Sequence, residues 1–100
     1  MKYLLLLFLI TAHADEPNGQ KLFSENCVTC HGERGKGDGL VGQYLTPKPR
    51  NLVKDKFKNG DSVEQIAQTL KTGLDQMPSF PYLSDADRTA LATYVKSLRK

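Results

Sequence analysis

Apolar positions along this chain form one solid block followed by three helical stripes, with an irregular stretch rich in glycine and proline between the stripes. The block runs from Tyr3 to Ile10, preceded by Lys2 and followed by Ala12-His13-Ala14. A positive start, an apolar run and a small-x-small ending are the order of a cleavable secretory signal, cut after Ala14. The run falls far short of the about 20 apolar residues that cross a bilayer. No Cys stands at the cut to carry a lipid anchor. The expected organisation is a signal peptide over 1–14 and one domain over 15–100, with no membrane span in the mature chain.

The first stripe predicts a helix that opens near Asn18, a good N-cap, just after Pro17. Leu22, Phe23 and Asn26-Cys27 follow at helical spacing, and the helix is expected to reach Cys30-His31. From Gly32 to Pro49 the glycines and prolines predict a loop with tight turns, and a short helical turn is expected between Leu52 and Lys58. A second helix is predicted over Ser62–Thr72, with Asp61/Glu64 or Ser62/Gln65 as its capping box and Gly73 as its C-terminal cap. Val63, Ile66, Ala67 and Leu70 form its apolar face. The last helix opens at Ser84, with Asp87 completing a capping box, and buries Leu91, Tyr94, Val95 and Leu98. No segment alternates in the manner of a strand, so the fold reads as all-α.

Composition changes this picture in one respect. With 39% hydrophobic and 25% charged residues the chain is an ordinary globular one, which excludes a disordered tail. Removing 14 of the 100 residues leaves 86, a size at which a domain often needs a staple. The two cysteines close too small a loop to serve. A large apolar cofactor at the centre would supply the missing core. The net charge of +3 includes Lys2, leaving about +2 on residues 15–100. Lys and Arg are scattered along the sequence, so no nucleic-acid footprint is read from it.

Cys27-Val28-Thr29-Cys30-His31 carries the chemistry. C-x-x-C-H is a haem c attachment signal. On one helical turn the two thiols point to the same side, as two thioethers to one porphyrin require, and the next residue presents an imidazole to the iron. Haem c is attached after export, so the leader fits the motif. A redox dithiol would need the strands of a thioredoxin-like fold, and a zinc site would need more ligands. His13 lies in the leader, and no third Cys exists. The sixth iron ligand follows by elimination: Met1 leaves with the leader, and Met77 stands in an irregular segment stiffened by Pro78 and Pro81. A neutral, soft thioether favours Fe(II), so a His31/Met77 pair implies a raised potential.

With Cys27, His31 and Met77 in place, the chain resembles the class I monohaem cytochromes c. The likeness extends through Gly19, Phe23, the stretch His31–Gly39, Pro47-Lys48-Pro49-Arg50-Asn51-Leu52, Met77-Pro78 and Leu91–Val95. It implies three principal helices, the first and last crossing closely, with loops wrapped over one covalently bound haem. It pairs Gly19 with Tyr94 at that crossing, with Phe23 nearby, and sets Tyr94 at the haem pocket. It also implies that a loop Pro carbonyl, of Pro47 or Pro49, accepts a hydrogen bond from His31. Arg50, Asn51 and Lys48 are the candidates to neutralise a propionate. The glycines of Gly35–Gly39 lack the Lys-Ser/Thr of a phosphate-binding loop and read as turns passing close to the porphyrin.

The function implied is transfer of single electrons between redox protein partners in the periplasm, by a protein monomeric on its own and without substrate chemistry. A haem relay subunit of a dehydrogenase or reductase complex is the alternative. A five-coordinate haem enzyme or gas sensor is a further one.

Overall fold

The computed structural model describes residues 16–100, so the signal peptide expected over 1–14 lies outside the described residues. Among the described residues four helices form: α1 (Gly19–Asn26), α2 (Val28–His31), α3 (Val63–Thr72) and α4 (Asp85–Leu98), with a 3₁₀ turn at Gly42–Tyr44. No strand occurs among the described residues, only an isolated bridge between Leu74 and Met77. The all-α expectation holds for the described residues.

Local chemistry accounts for most of the helix ends. Asn18 caps α1, its side chain accepting from the Lys21 N–H at 3.0 Å. Of the two possible boxes on α3, Ser62/Gln65 forms. Asp61 is drawn instead toward Lys96 and Arg99 of the chain end. Ser84 and Asp87 close the reciprocal box on α4.

The first helix is not continuous to His31. It breaks at Cys27, whose φ of −120° leaves the helical region, and α2 restarts at Val28. The sequence around the break is unfavourable to a helix. The Asn26 side chain donates to the Leu22 carbonyl at 2.8 Å, competing with the backbone, and Val28 and Thr29 are β-branched. Between Leu52 and Lys58 the expected turn forms, held by Asn51. Its carbonyl accepts from the Asp55 N–H, and its side chain accepts from those of Val53 and Lys54.

Helices α1 and α3 both pack on α4. Gly19 permits the first contact: a Cβ there would lie 2.2 Å from the Ala90 carbonyl oxygen and 2.9 Å from Tyr94 Cβ. Below this crossing Phe23 and Leu91 are fully buried, and the Phe23 and Tyr94 rings meet at 5.3 Å. Ile66 and Leu70 bring α3 onto the same core. Toward the chain end, Arg99 donates to the Leu52 carbonyl at 2.8 Å and covers the Phe57 ring at 4.1 Å.

Candidate cofactor and metal site

Helix α2 is only one turn long, and tertiary contacts hold it. Its last carbonyls, which have no partner within the helix, are taken by the glycine-rich segment that follows. The Gly37 N–H donates to His31 O at 2.7 Å, that of Gly39 to Cys30 O at 3.1 Å, and that of Val41 to Thr29 O at 3.0 Å. Gly39 is needed for this approach, since a Cβ there would stand 2.3 Å from the Thr29 carbonyl oxygen. These glycines therefore serve the backbone of the C-x-x-C-H turn, a more specific role than turns over a porphyrin.

Cys27, Cys30, His31 and Met77 line one cavity of about 270 Å³. A water takes about 30 Å³ of liquid volume and packed interiors leave few voids larger than that, so the space suits a substantial organic group. Its walls are mainly apolar, with Leu52, Phe57, Ile66, Leu70, Phe80 and Val95 among them.

Both cysteines are unpaired thiols. Burial, with the neighbouring Cys30 adding to it, pushes the Cys27 thiol up to about 12. A thiol held protonated is a poor exchange nucleophile, so Cys27 is not primed for thiol exchange. His31 Nδ1 lies 3.0 Å from the Arg50 carbonyl oxygen. A carbonyl only accepts, so Nδ1 carries the proton and donates, which leaves Nε2 its lone pair. Burial lowers the His31 pKa, partly offset by that carbonyl, and so favours the neutral, metal-binding form.

The structure places three of the expected pocket groups differently. The carbonyl facing His31 is that of Arg50, not of Pro47 or Pro49, although both prolines line the cavity. Asn51 is absent from the cavity lining, and its Oδ1 accepts from the Val53 and Lys54 N–H groups, which leaves only Nδ2 to donate. Tyr94 lies outside the lining as well, since it faces Phe23 across the helix crossing. Arg50 and Lys48 do line the cavity. Met77 belongs to a tight turn: Leu74 N–H donates to Met77 O at 3.0 Å and Met77 N–H to Leu74 O at 2.9 Å, with Asp75 left-handed at φ 53°. Gln76 reaches from this turn to the Thr46 carbonyl on the facing loop. Nothing in the sequence singled out Gln76, whose partner is 30 residues away.

The family model described as "Cytochrome C oxidase, cbb3-type, subunit III" matches residues 14–95. The chain belongs to this family of c-type cytochromes. Cytochrome c6 of Cyanidium caldarium is 36% identical over 84% of this chain and 72% of its own length. Cytochrome c6 of Cyanidioschyzon merolae is 33% identical over 100% and 97%. The cbb3-type oxidase subunit FixP of Azorhizobium caulinodans is 37% identical, over 80% of this chain but only 26% of the subunit. Among solved structures, a chain of the Kuenenia stuttgartiensis reducing HAO-like protein complex superposes with a TM-score of 0.72 at 30% identity, over 81% of this chain and 41% of that one.

As a c-type cytochrome the protein carries covalently bound haem c with iron and serves electron transfer. The donor set fits that group: two free thiols and a neutral imidazole on one wall, a thioether in the same cavity, and apolar sides. No helix among the described residues is long and apolar enough to cross a membrane.

Proposed function

We propose that this c-type cytochrome is an exported one-electron carrier whose single haem is tethered through Cys27 and Cys30 and ligated by His31 and Met77. The observation that carries the reading is the convergence of these four side chains on one cavity. Within residues 16–100, His31 is the one His and Met77 the one Met. When bound, haem iron supplies the one-electron couple. The Arg50 carbonyl fixes the tautomer and ring of His31 and raises its basicity. The neutral thioether of Met77 favours the reduced state, and apolar walls keep water away. Lys48 and Arg50 offset propionate charge at the cavity edge. None of these residues is arranged to make or break a bond in a substrate.

Residues 1–14 act as the signal, and residues 15–100 work in the periplasm against other redox proteins. A second reading, a haem relay within a larger complex, draws support from relatives that are oxidase subunits or part of an HAO-like complex. Mass and visible spectra of the native protein test the leading one. A mature chain cut after Ala14, bearing one haem and a sulfur-to-iron charge-transfer band that Met77→Ala abolishes, is the expected result. A mass lacking the haem, or a band that survives Met77→Ala, overturns it. Sizing of the native extract separates the carrier from the relay, since a stable large complex excludes a diffusing carrier. Rapid CO binding to the reduced protein at neutral pH would instead mark an open iron site.

A further inference from the structure

Arg88 is the one buried charged residue among those described, at 7% exposure. It lies one turn into α4, and its side chain runs back toward the loop that precedes the helix. Nη1 donates to the Phe80 carbonyl at 2.9 Å and to the Leu83 carbonyl, and Nη2 meets Asp85 Oδ1. Packing alone does not call for an Arg here, because an apolar side chain would complete the α4 stripe without desolvating a charge.

The acceptors explain its presence. The Phe80 N–H donates to the Leu70 carbonyl of α3 at 2.8 Å, and the Phe80 carbonyl accepts from Arg88 of α4 at 2.9 Å and, more weakly, from the Leu83 N–H at 3.3 Å. The Phe80 backbone is thus gripped from both sides, and its ring lines the cavity. Met77 stands three residues before it, closed on Leu74 by two backbone bonds, with Pro78 stiffening the link. The segment that presents the thioether therefore has two fixed ends, and Arg88 ties the second to α4.

We propose that Arg88 is a positioning residue for Met77. By holding the Phe80 and Leu83 carbonyls it fixes the loop and so sets how readily the sulfur gives up its place on the iron. This rests on the His31/Met77 reading above. An external ligand binds only when Met77 has left, so its apparent affinity scales with the fraction of loop that is open.

The test is imidazole titration of the ferric holoprotein, followed by visible absorption well below the unfolding transition, in wild type, Arg88→Met, Arg88→Lys and Phe23→Leu. Arg88→Met is expected to bind imidazole about tenfold more tightly, the equilibrium equivalent of one hydrogen bond from a charged group. Arg88→Lys falls between, because an ammonium lacks the fork that serves several acceptors at once. Phe23→Leu weakens the α1–α4 crossing without touching the loop, and its imidazole affinity stays at the wild-type value. Should Arg88→Met be less stable yet bind imidazole as wild type does, the proposal is overturned. Should it not fold, Arg88→Lys carries the same test, and an unchanged affinity there overturns it too. A wild-type protein without the sulfur-to-iron band would sink the Met77 reading and this proposal together. A band present with unchanged affinities sinks this proposal alone.

Discussion

Replacing Gly19 by Ala adds one carbon where α1 crosses α4. That carbon would lie 2.2 Å from the Ala90 carbonyl oxygen, 2.9 Å from the Ala90 carbonyl carbon and 2.9 Å from Tyr94 Cβ. Two of the three obstacles are backbone, so no side-chain rotation relieves them. Reaching even the tight limit of 3.0 Å from 2.2 Å requires the helices to part by 0.8 Å. A radial gap of about 0.5–1 Å forfeits a quarter to a half of each dispersion contact, and a buried side chain makes about 40–60 contacts of ~0.1–0.2 kcal/mol. For Phe23, fully buried beneath the crossing, the gross loss is therefore on the order of 1–6 kcal/mol, and relaxation keeps it near the low end, as for other overpacked cores. Ala recovers up to about 1 kcal/mol of helix propensity, less in the first turn. The net loss is about 1–2 kcal/mol, and a domain of this size loses about 4–8 °C of Tm per kcal/mol. Thermal unfolding of the holoprotein, followed by far-UV circular dichroism at neutral pH, should show a fall of about 4–16 °C. A Tm equal to or above that of wild type would refute the close-crossing argument.

Two further outcomes follow from the ion pairs. The Arg88 guanidinium beside Asp85 holds its carboxyl below the usual range, first through their hydrogen bond and then through charge. A depressed carboxylate contributes stability above its unfolded pKa and loses it as pH falls through the folded one. The stability gap between wild type and Asp85→Asn should therefore be widest at neutral pH and close in acid below the normal carboxylate range, and a gap that widens on acidification contradicts the pairing. Arg99→Ala removes the hydrogen bond to Leu52, the contact over Phe57 and the weak pair with Asp61 at 3.4 Å. The combined cost is about 2 kcal/mol by denaturant unfolding, and a loss indistinguishable from zero would show that the chain end is not clamped.

What was legible in the sequence is what depends on near neighbours. Asn18, Ser62 and Ser84 cap helices because their oxygens need only reach an amide three residues on. The apolar faces of α3 and α4 follow from helical periodicity, and C-x-x-C-H announces itself because its chemistry needs one turn of chain. The break at Cys27 was also local, written in Asn26 and the β-branched pair after it, yet apolar spacing alone ran across it.

Long-range packing decided the rest. The carbonyl that orients His31 lies 19 residues away, and Arg50 rather than a proline holds that place because of how the 45–50 loop lies along the cavity. Asn51 looked free to serve a propionate, but a nearby turn claimed its side-chain oxygen. Tyr94 sits in the predicted stripe, and only the angle of α4 against α1 decides that it faces Phe23 rather than the cavity. Arg88 is the sharpest case. Its sequence position marks a polar residue at the edge of a helix, while the fold wraps the Met77 loop around it and makes it a buried donor. By itself the sequence determined where α1, α3 and α4 start, where the C-x-x-C-H motif stands and that the fold is helical, because those are short-range properties of the chain. Which carbonyl faces which nitrogen is settled only once distant segments share one core, since no local rule sets the angle at which they meet.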